Sequence, residues 1–310
     1  MGWITMENRC AAIDVGTNTV KLTIVEKESR NAFIPLVDTA VTTRLGEGIH
    51  AKRLRETAIR RTINCLQDYI ALCRAHHVEH VAAVGTSALR DAVNRDEFLE
   101  RAAELGLNVK VISGEEEARL SFLAVSRDPL WRSADRVIVV DIGGGSSELI
   151  LGEPRLGDIQ ERISFQIGAV RLTEACIRSD PPSIRDMAES NAAVSEAMKG
   201  FSLPNTSMIA VGVGGTFVNM AAVMEGMEQK NPERLHGVRL TSLDVEAQIT
   251  LYASKTIEER KRITGLDPSR ADIILGGAII LSQILSLCGQ DSIHCSTRGL
   301  RWGVLYDAFR

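Results

Sequence analysis

The sequence predicts an α/β fold that is used twice in one chain. Apolar strand-like runs alternate with segments of helical period, the order of elements found in α/β proteins. The segment IDVGTNTVKLTIVE (13–26) returns as VDIGGGSSELILGE (140–153), each with a strand, a tight polar turn and a strand. HVAAVGTSALRDAV (80–93) and MIAVGVGGTFVNMAAV (208–223) are each read as strand, turn and helix.

The repeat divides the 310 residues into two predicted domains, 1–125 and 126–310. The final helix is a candidate to pack back on the first domain. Residues 126–136 are predicted to be a surface connection between the halves.

Further elements follow in order along each half. The first half is predicted to contain strand, glycine turn and strand over 10–28, then a helix over 56–78 whose apolar residues share one face. A strand, a break and a helix follow over 80–105, then a strand over 109–112 and a helix whose N-cap is at or near Ser113. The second half ends with a buried helix over 273–289, a strand, a glycine turn and a closing helix.

Composition limits the classes of partner. The net charge is −4, so the chain lacks the basic footprint of a nucleic-acid-binding protein. The apolar run 273–289 is shorter than a membrane span and contains polar residues. The six cysteines show no zinc spacing, and the N-terminus has no signal-peptide pattern. We expect a cytoplasmic protein without membrane or nucleic-acid partners.

The two predicted hairpin turns offer backbone N–H groups to an anion. Small residues leave these groups uncovered, and successive N–H groups form a concave anion site. Each turn follows an aspartate, and a carboxylate beside phosphate needs an intervening cation such as Mg²⁺. The alternative for a strand-end aspartate is a turn-capping role. The predicted phosphate contacts are Gly16, Thr17, Asn18, Gly144, Gly145 and Ser146, and the predicted carboxylates are Asp14, Asp141 and Glu148.

Helix starts supply a second set of predicted anion contacts. Thr86 and Ser87 begin the predicted helix that carries Arg90, Asp91 and Asn94, and the turn 214–216 begins another. Ordinary N-capping or a tight turn would explain the same residues. The contacts predicted here are Thr86, Ser87, Gly214, Gly215 and Thr216.

Hydrolysis also needs a group that activates water. Glu115, Glu116 and Glu117 are candidates, although acidic residues are routine in a first helical turn. The residue pattern alone does not choose among the three.

The motifs together resemble the exopolyphosphatase / guanosine pentaphosphate phosphohydrolase family, within the sugar kinase–actin superfamily. IDVGTNTVKL, RLGEGI, GTSALRDAVN, ISGEEEARLSF, VVDIGGGSSEL, IGAVRLTE, VGVGGT, SRADIILGG and TRGLRWGVL occur in family order. SGEEEAR together with IGAVRLTE carries the resemblance to this family, whereas DIGGGSSEL is shared across the superfamily.

The resemblance implies two duplicated actin-like (ribonuclease H-like) α/β domains with an active site in the interdomain cleft. It implies Glu117 as catalytic base, Arg90 and the turn residues as phosphate contacts, and Asp14, Asp141 and Glu148 as carboxylates that bind Mg²⁺ or Mn²⁺ and position water. Glu148 is also a catalytic candidate, because its counterpart in the first repeat is Lys21. Arg44 and Arg171 lie in family motifs and are candidates to face the polyanion.

Two residues depart from the family pattern. Thr19 stands where serine is usual, which keeps a hydroxyl, and Trp302 stands where glutamate is usual. We also expect a short form without the helical HD-type domain of longer members, and hence a preference for short or modest polyphosphate chains.

The leading function is an exopolyphosphatase that removes the terminal phosphate of inorganic polyphosphate with metal assistance. The alternative is hydrolysis of the 5′ γ-phosphate of pppGpp. More distant alternatives are an ATP-dependent kinase and a polyphosphate or nucleotide sensor without turnover. The sequence does not show the oligomeric state; a homodimer is a candidate, because it is the commonest assembly among soluble proteins.

Overall fold

The computed structural model describes residues 8–29, 32–48, 52–201, 208–228 and 231–309. The chain forms two compact units, residues 1–124 with 300–310, and residues 125–299. The first boundary lies one residue from the division set by the sequence repeat. The last eleven residues, which that division left in the second domain, belong to the first unit.

The first unit is built on a five-stranded sheet in the order β3-β2-β1-β4-β5. β1 to β3 form an antiparallel meander, and β4 and β5 are parallel to β1. The strands are β1 (Arg9–Val15), β2 (Thr19–Ser29), β3 (Ala32–Thr42), β4 (His80–Gly85) and β5 (Val109–Val111). The helices are α1 (Glu56–Ala75), α2 (Ser87–Asp91), α3 (Arg95–Glu104), α4 (Gly114–Arg127) and, from the chain end, α12 (Leu300–Ala308).

The second unit is built on a six-stranded sheet in the order β10-β11-β9-β6-β7-β8. Its strands are β6 (Val137–Ile142), β7 (Ser147–Glu153), β8 (Asp158–Phe165), β9 (Ile209–Val213), β10 (Arg239–Thr241) and β11 (Ser292–Ser296). Its helices are α5 (Ala169–Cys176), α6 (Ile184–Ala197), α7 (Gly215–Met224), α8 (Pro232–Leu235), α9 (Ser242–Ala253), α10 (Ile257–Arg260) and α11 (Ile274–Leu287).

The predicted duplication of one α/β fold is confirmed. In each sheet a meander of three strands is followed by two strands parallel to the first, and the second unit adds β10 at the edge. The register matches as well, since Asp14 pairs with Lys21 across β1 and β2, and Asp141 pairs with Glu148 across β6 and β7. The third strand of each meander, β3 and β8, was not predicted from the sequence.

Aliphatic side chains fill the core of each unit. In the first, the apolar face of α1, which includes Ile59 and Leu66, packs with sheet residues such as Ile13 and Leu22. In the second, α11 is buried on almost every face, as predicted for a run apolar all round. The turns 16–18 and 143–146 at the strand ends lie outside these two apolar clusters.

Two local predictions are wrong. The helix expected over 86–105 is broken, because α2 ends at Asp91 and α3 begins at Arg95. Asn94 lies between them and holds another loop, accepting from Leu54 N at 2.9 Å and donating to Leu54 O at 3.2 Å. Residues 126–136 are not a plain surface connection, since α4 continues to Arg127 and both Asp128 and Trp131 are buried. No helix in the described part of the chain has the length and hydropathy needed to cross a bilayer.

Candidate active site

The turn between β6 and β7 contains the three consecutive glycines. Gly143 N donates to Ser146 O at 2.9 Å and closes the turn. Asp141 and Glu148 precede and follow it as direct cross-strand partners, so their side chains lie on the same face of the sheet. Glu148 is fully buried, and Ser164 Oγ on β8 donates to its Oε1 at 2.9 Å. The fold thus presents two adjacent carboxylates beside a glycine turn.

A second glycine turn meets the same carboxylates. Gly214, at φ +100°, lies so close to Asp141 that a Cβ there would be 3.0 Å from Asp141 Oδ1. The next residue, Gly215, begins α7 and lies against the Arg270 guanidinium, where a Cβ would be 2.2 Å from Cζ. Thr216 is buried against α11, so its predicted phosphate contact depends on its backbone N–H. The second unit therefore brings Asp141, Glu148 and both predicted turns together.

The first unit carries the matching turn between β1 and β2. Asp14 is 3% exposed, and Lys21 Nζ donates to its Oδ2 at 3.2 Å. Its Oδ1 is buried and has no hydrogen-bond partner among the described residues. Thr17 and Asn18 are buried in the turn. The N–H of Gly16 is not uncovered as predicted, because it donates to Thr19 O at 3.2 Å to close the turn.

Glu117, on the first turn of α4, is buried and paired with Arg90. It is 7% exposed, and Arg90 Nη1 donates to Glu117 Oε2 and to Ile112 O, each at 3.1 Å. Arg90 Nη2 is buried and has no hydrogen-bond partner among the described residues. One arginine therefore orients the predicted base and retains donor capacity for an anion, which is consistent with both predicted roles.

Thr86 and Ser87, at the start of α2, are less well suited to bind phosphate. Thr86 N donates to Val15 O at 3.3 Å, so this N–H is already used. Ser87 is buried, and its Oγ has no hydrogen-bond partner among the described residues. At five residues, α2 is too short for its N-terminus to form an anion site by itself. The phosphate contacts predicted at Thr86 and Ser87 stay predictions.

The donor set suits Mg²⁺. Among the residues described, no group of three His, Cys, Asp or Glu side chains is arranged to hold a metal ion alone. Mg²⁺ commonly takes only one or two carboxylates and completes its shell with substrate phosphates and water. In the second unit the adjacent Asp141 and Glu148 meet that requirement, and in the first unit Asp14 Oδ1 is a buried carboxylate oxygen without a hydrogen-bond partner among the described residues. Metal binding stays a prediction.

Several residues in these sites were missed or misread from the sequence. Lys21 could have been found, because the repeat alignment places it opposite Glu148. Ser164 carried no signal, since β8 was not predicted. Arg171 does contact the site, but its Nε donates to Gly145 O at 2.8 Å. Trp302, in place of the family glutamate, is buried in a cluster with Ala124 and Tyr306 in the first unit.

Residues 23–310 match the Ppx/GppA phosphatase family. The chain belongs to this family. It is 35% identical to exopolyphosphatase 2 of Mycobacterium tuberculosis over 289 residues, 89% of each chain. It is 30% identical to a guanosine-5′-triphosphate,3′-diphosphate pyrophosphatase of Aliivibrio fischeri over 307 residues, 97% of this chain and 59% of that one. The crystal structure of the Aquifex aeolicus family member aligns with a TM-score of 0.80 and 34% identity, covering 97% of both chains.

The family match spans both units and includes every residue of the candidate site except Asp14 to Lys21, which precede residue 23. The Aquifex alignment covers nearly the whole chain. The resemblance inferred from the motifs is thus confirmed. The placement of the active site in a cleft between the two domains stays a prediction.

Proposed function

We propose that this chain is an exopolyphosphatase that hydrolyses the terminal phosphoanhydride bond of inorganic polyphosphate. The observation that carries the proposal is the buried Glu117–Arg90 pair in a fold that twice presents a turn of small residues beside a carboxylate. The family match and the exopolyphosphatase of M. tuberculosis support this substrate class.

In the proposed reaction Glu117 takes a proton from a water molecule as its oxygen attacks the terminal phosphorus. A P–O bond forms to this oxygen, and the bond to the bridging oxygen breaks in line with it. The products are orthophosphate and a polyphosphate shorter by one unit. Backbone N–H groups of the turns and Arg90 stabilise the charge on the phosphoryl oxygens. A divalent cation held by Asp14, Asp141 and Glu148 would supply further charge neutralisation.

The decisive variant is Glu117→Gln, which preserves shape but cannot accept the proton. We expect phosphate release from polyphosphate in the presence of Mg²⁺ to fall by about 10²- to 10⁴-fold, the usual contribution of a general base. Glu115→Gln is the matched control, because Glu115 is exposed on the same helical turn. Equal rates in wild type and Glu117→Gln would remove Glu117 from the mechanism.

Removal of the 5′ γ-phosphate of pppGpp is the second candidate. The A. fischeri relative, whose name describes a guanosine-5′-triphosphate,3′-diphosphate pyrophosphatase, favours it. The same residues would act on either terminal phosphate, so kcat/KM on the two substrates discriminates between them. A higher kcat/KM for pppGpp would show that pppGpp, and not polyphosphate, is the principal substrate.

The cellular setting is proposed separately. All six cysteines are unpaired thiols, five of them buried, which suits a reducing compartment such as the cytoplasm. The homodimer stays a candidate, and size-exclusion chromatography with light scattering tests it.

A further inference from the structure

N–H groups at the start of α5 donate hydrogen bonds to the carbonyl groups of the 143–146 turn. The backbone N–H of Ala169 donates to Gly143 O at 2.9 Å, and those of Val170 and Arg171 donate to Gly144 O at 2.9 and 3.0 Å. The Arg171 side chain completes the set, because its Nε donates to the next carbonyl, Gly145 O, at 2.8 Å. Three successive carbonyls are therefore held by one short segment, residues 169–171.

Holding these carbonyls fixes the direction of the N–H groups that follow them. In a planar trans peptide unit the C=O of one residue and the N–H of the next point in opposite directions. The carbonyls of residues 143, 144 and 145 belong to the same peptide units as the N–H groups of Gly144, Gly145 and Ser146. These are the three predicted phosphate contacts of the turn. Residues 169–171 thus direct the N–H groups of Gly144, Gly145 and Ser146 away from α5.

The close approach depends on Gly168, which precedes α5. A Cβ at this position would lie 2.6 Å from the carbonyl carbon and oxygen of Gly144 and 2.7 Å from Gly145 N. The obstacle is backbone and not a flexible side chain, so a larger residue would push the turn and the segment apart. This contact explains a glycine in the family motif IGAVRLTE.

The first unit has a similar set of hydrogen bonds, made by the segment that follows β3. Gly46 N donates to Thr17 O at 2.8 Å, and the N–H groups of Thr43 and Arg44 donate to Asn18 O at 3.1 and 2.9 Å. Arg44 adopts a left-handed conformation, φ +52°, which is unfavourable for a non-glycine residue. A Cβ on Gly46 would be 2.3 Å from Thr17 Cγ2. The family motif RLGEGI therefore holds one turn as IGAVRLTE holds the other.

We propose that Arg171 is a positioning residue, which locks the carbonyl side of the 143–146 turn so that its N–H groups are preorganised for phosphate. The inference rests on the proposed function for the identity of the anion. It changes the expectation for Arg171, which acts through the donor at its Nε position and not through its charge on the polyanion.

Three substitutions separate the donor from the charge. Arg171→Gln places an amide N–H donor at the same number of bonds from Cα as Nε, without the charge. Arg171→Met places a methyl group there, and Arg171→Lys keeps the charge but has a methylene at that atom. Calorimetry without divalent cation measures binding without metal-assisted turnover. We expect tripolyphosphate to bind Arg171→Gln within about threefold of wild type, and to bind the Met and Lys variants about tenfold more weakly, as expected for loss of one hydrogen bond.

Arg185→Met is the matched control, because the Arg185 side chain is exposed on α6, where its Nε pairs with Glu189 at 2.7 Å. Its affinity for tripolyphosphate should equal that of wild type. If the Gln and Met variants lose affinity equally while Lys retains it, Arg171 acts through its charge and the proposal is overturned. Unchanged affinity in all three variants overturns it too.

Hydrogen exchange in the absence of ligand gives a readout that is independent of activity. Faster exchange at the N–H groups of Gly143, Ala169 and Val170, which donate to carbonyls of the turn, is expected in the Met and Lys variants but not in Arg171→Gln if the donor at the Nε position holds the turn. Uniform exchange across all variants contradicts the proposal. If the wild type binds tripolyphosphate but releases no phosphate from polyphosphate, only the proposed function is contradicted. If the wild type binds no tripolyphosphate, the proposed function is again contradicted, and hydrogen exchange alone decides the role of Arg171.

Discussion

Three adjacent glutamates at the start of α4 have different surroundings. Glu115 is exposed, and Glu116 receives two hydrogen bonds from Arg119, at 2.7 and 2.8 Å. Glu117 is buried against Arg90. The Glu116–Arg119 spacing of three residues could be recognised in the sequence. The Glu117–Arg90 pair spans 27 residues, so only the folded chain, or the family motif, distinguishes Glu117.

A buried carboxylate outside the candidate site matters for stability. Asp128 is 1% exposed and lies 3.1 Å from His236 Nε2 and 3.2 Å from Arg298 Nη1. Burial alone would raise the pKa of Asp128, but hydrogen bonds from His236 and Leu130 N and the charges of His236 and Arg298 together lower it. Because the pKa is lower in the folded state, the carboxylate stabilises the fold above its unfolded pKa of about 4.

We therefore expect that stabilisation to be lost as the pH falls below about 4 toward the folded-state pKa of Asp128. Asp128→Asn should be less stable than wild type at pH 7, and the difference should shrink as the pH is lowered through this window. Urea unfolding at a series of pH values measures it. Asp135→Asn is the control, since Asp135 is almost fully exposed. A difference that is independent of pH would show that ionisation of Asp128 does not contribute.

At the scale of elements, α12 determines where α4 lies in the first unit. The two helices cross so closely that a Cβ on Gly303 would be 1.9 Å from Leu120 O. Arg119 on α4 also pairs with Asp307 on α12 at 3.0 Å. Leu300, Val304 and Leu305 pack with Leu120 in one cluster. The position of α4, which carries Glu117, therefore depends on α12 at the end of the chain.

Gly303→Ala should separate these helices. We expect a loss of about 1–3 kcal/mol in the free energy of unfolding, as for overpacked cores, because the added methyl group meets backbone. Phosphate release should fall as well, since α4 carries Glu117. Gly299→Ala is the control, because its Cβ would have only ordinary contacts, the nearest at 3.4 Å. Chemical unfolding and kinetic assays test both variants, and wild-type stability in Gly303→Ala would contradict the close crossing.

The elements predicted best from the sequence were those with a strong period or an internal copy. α1 followed from apolar periodicity, α11 from a long apolar run, and the hairpins at Asp14 and Asp141 from the repeat. β3 was not predicted because it contains Pro35 and is largely exposed, so it lacks the apolar run of its neighbours. The motifs RLGEGI and IGAVRLTE were noticed, but their hydrogen bonds to the turns depend on tertiary contacts that no local pattern encodes.

At the scale of the whole molecule, the chain leaves the first unit at residue 124 and returns to it at residue 300. The returning helix, α12, packs on β1, β2 and β4, and Arg301 Nη1 donates to Leu22 O at 3.1 Å. The first unit is therefore completed only when the second has been synthesised. The second unit, in contrast, is one continuous segment with its own core.

This chain path predicts an asymmetric response to truncation after Gly299. Loss of 300–310 would expose the apolar surface that Leu300, Val304 and Leu305 cover, and burial of such side chains contributes about 1.5–3 kcal/mol each. We expect amide protection to collapse in β1 and β4 while β6 and β9 retain theirs, because their core contains no residue of α12. Hydrogen exchange with mass spectrometry compares both sheets in one sample, so the second unit is the internal control. Equal loss of protection in the two sheets would mean that the units unfold as one cooperative body, whereas retained protection in β1 would mean that α12 is dispensable for the first core.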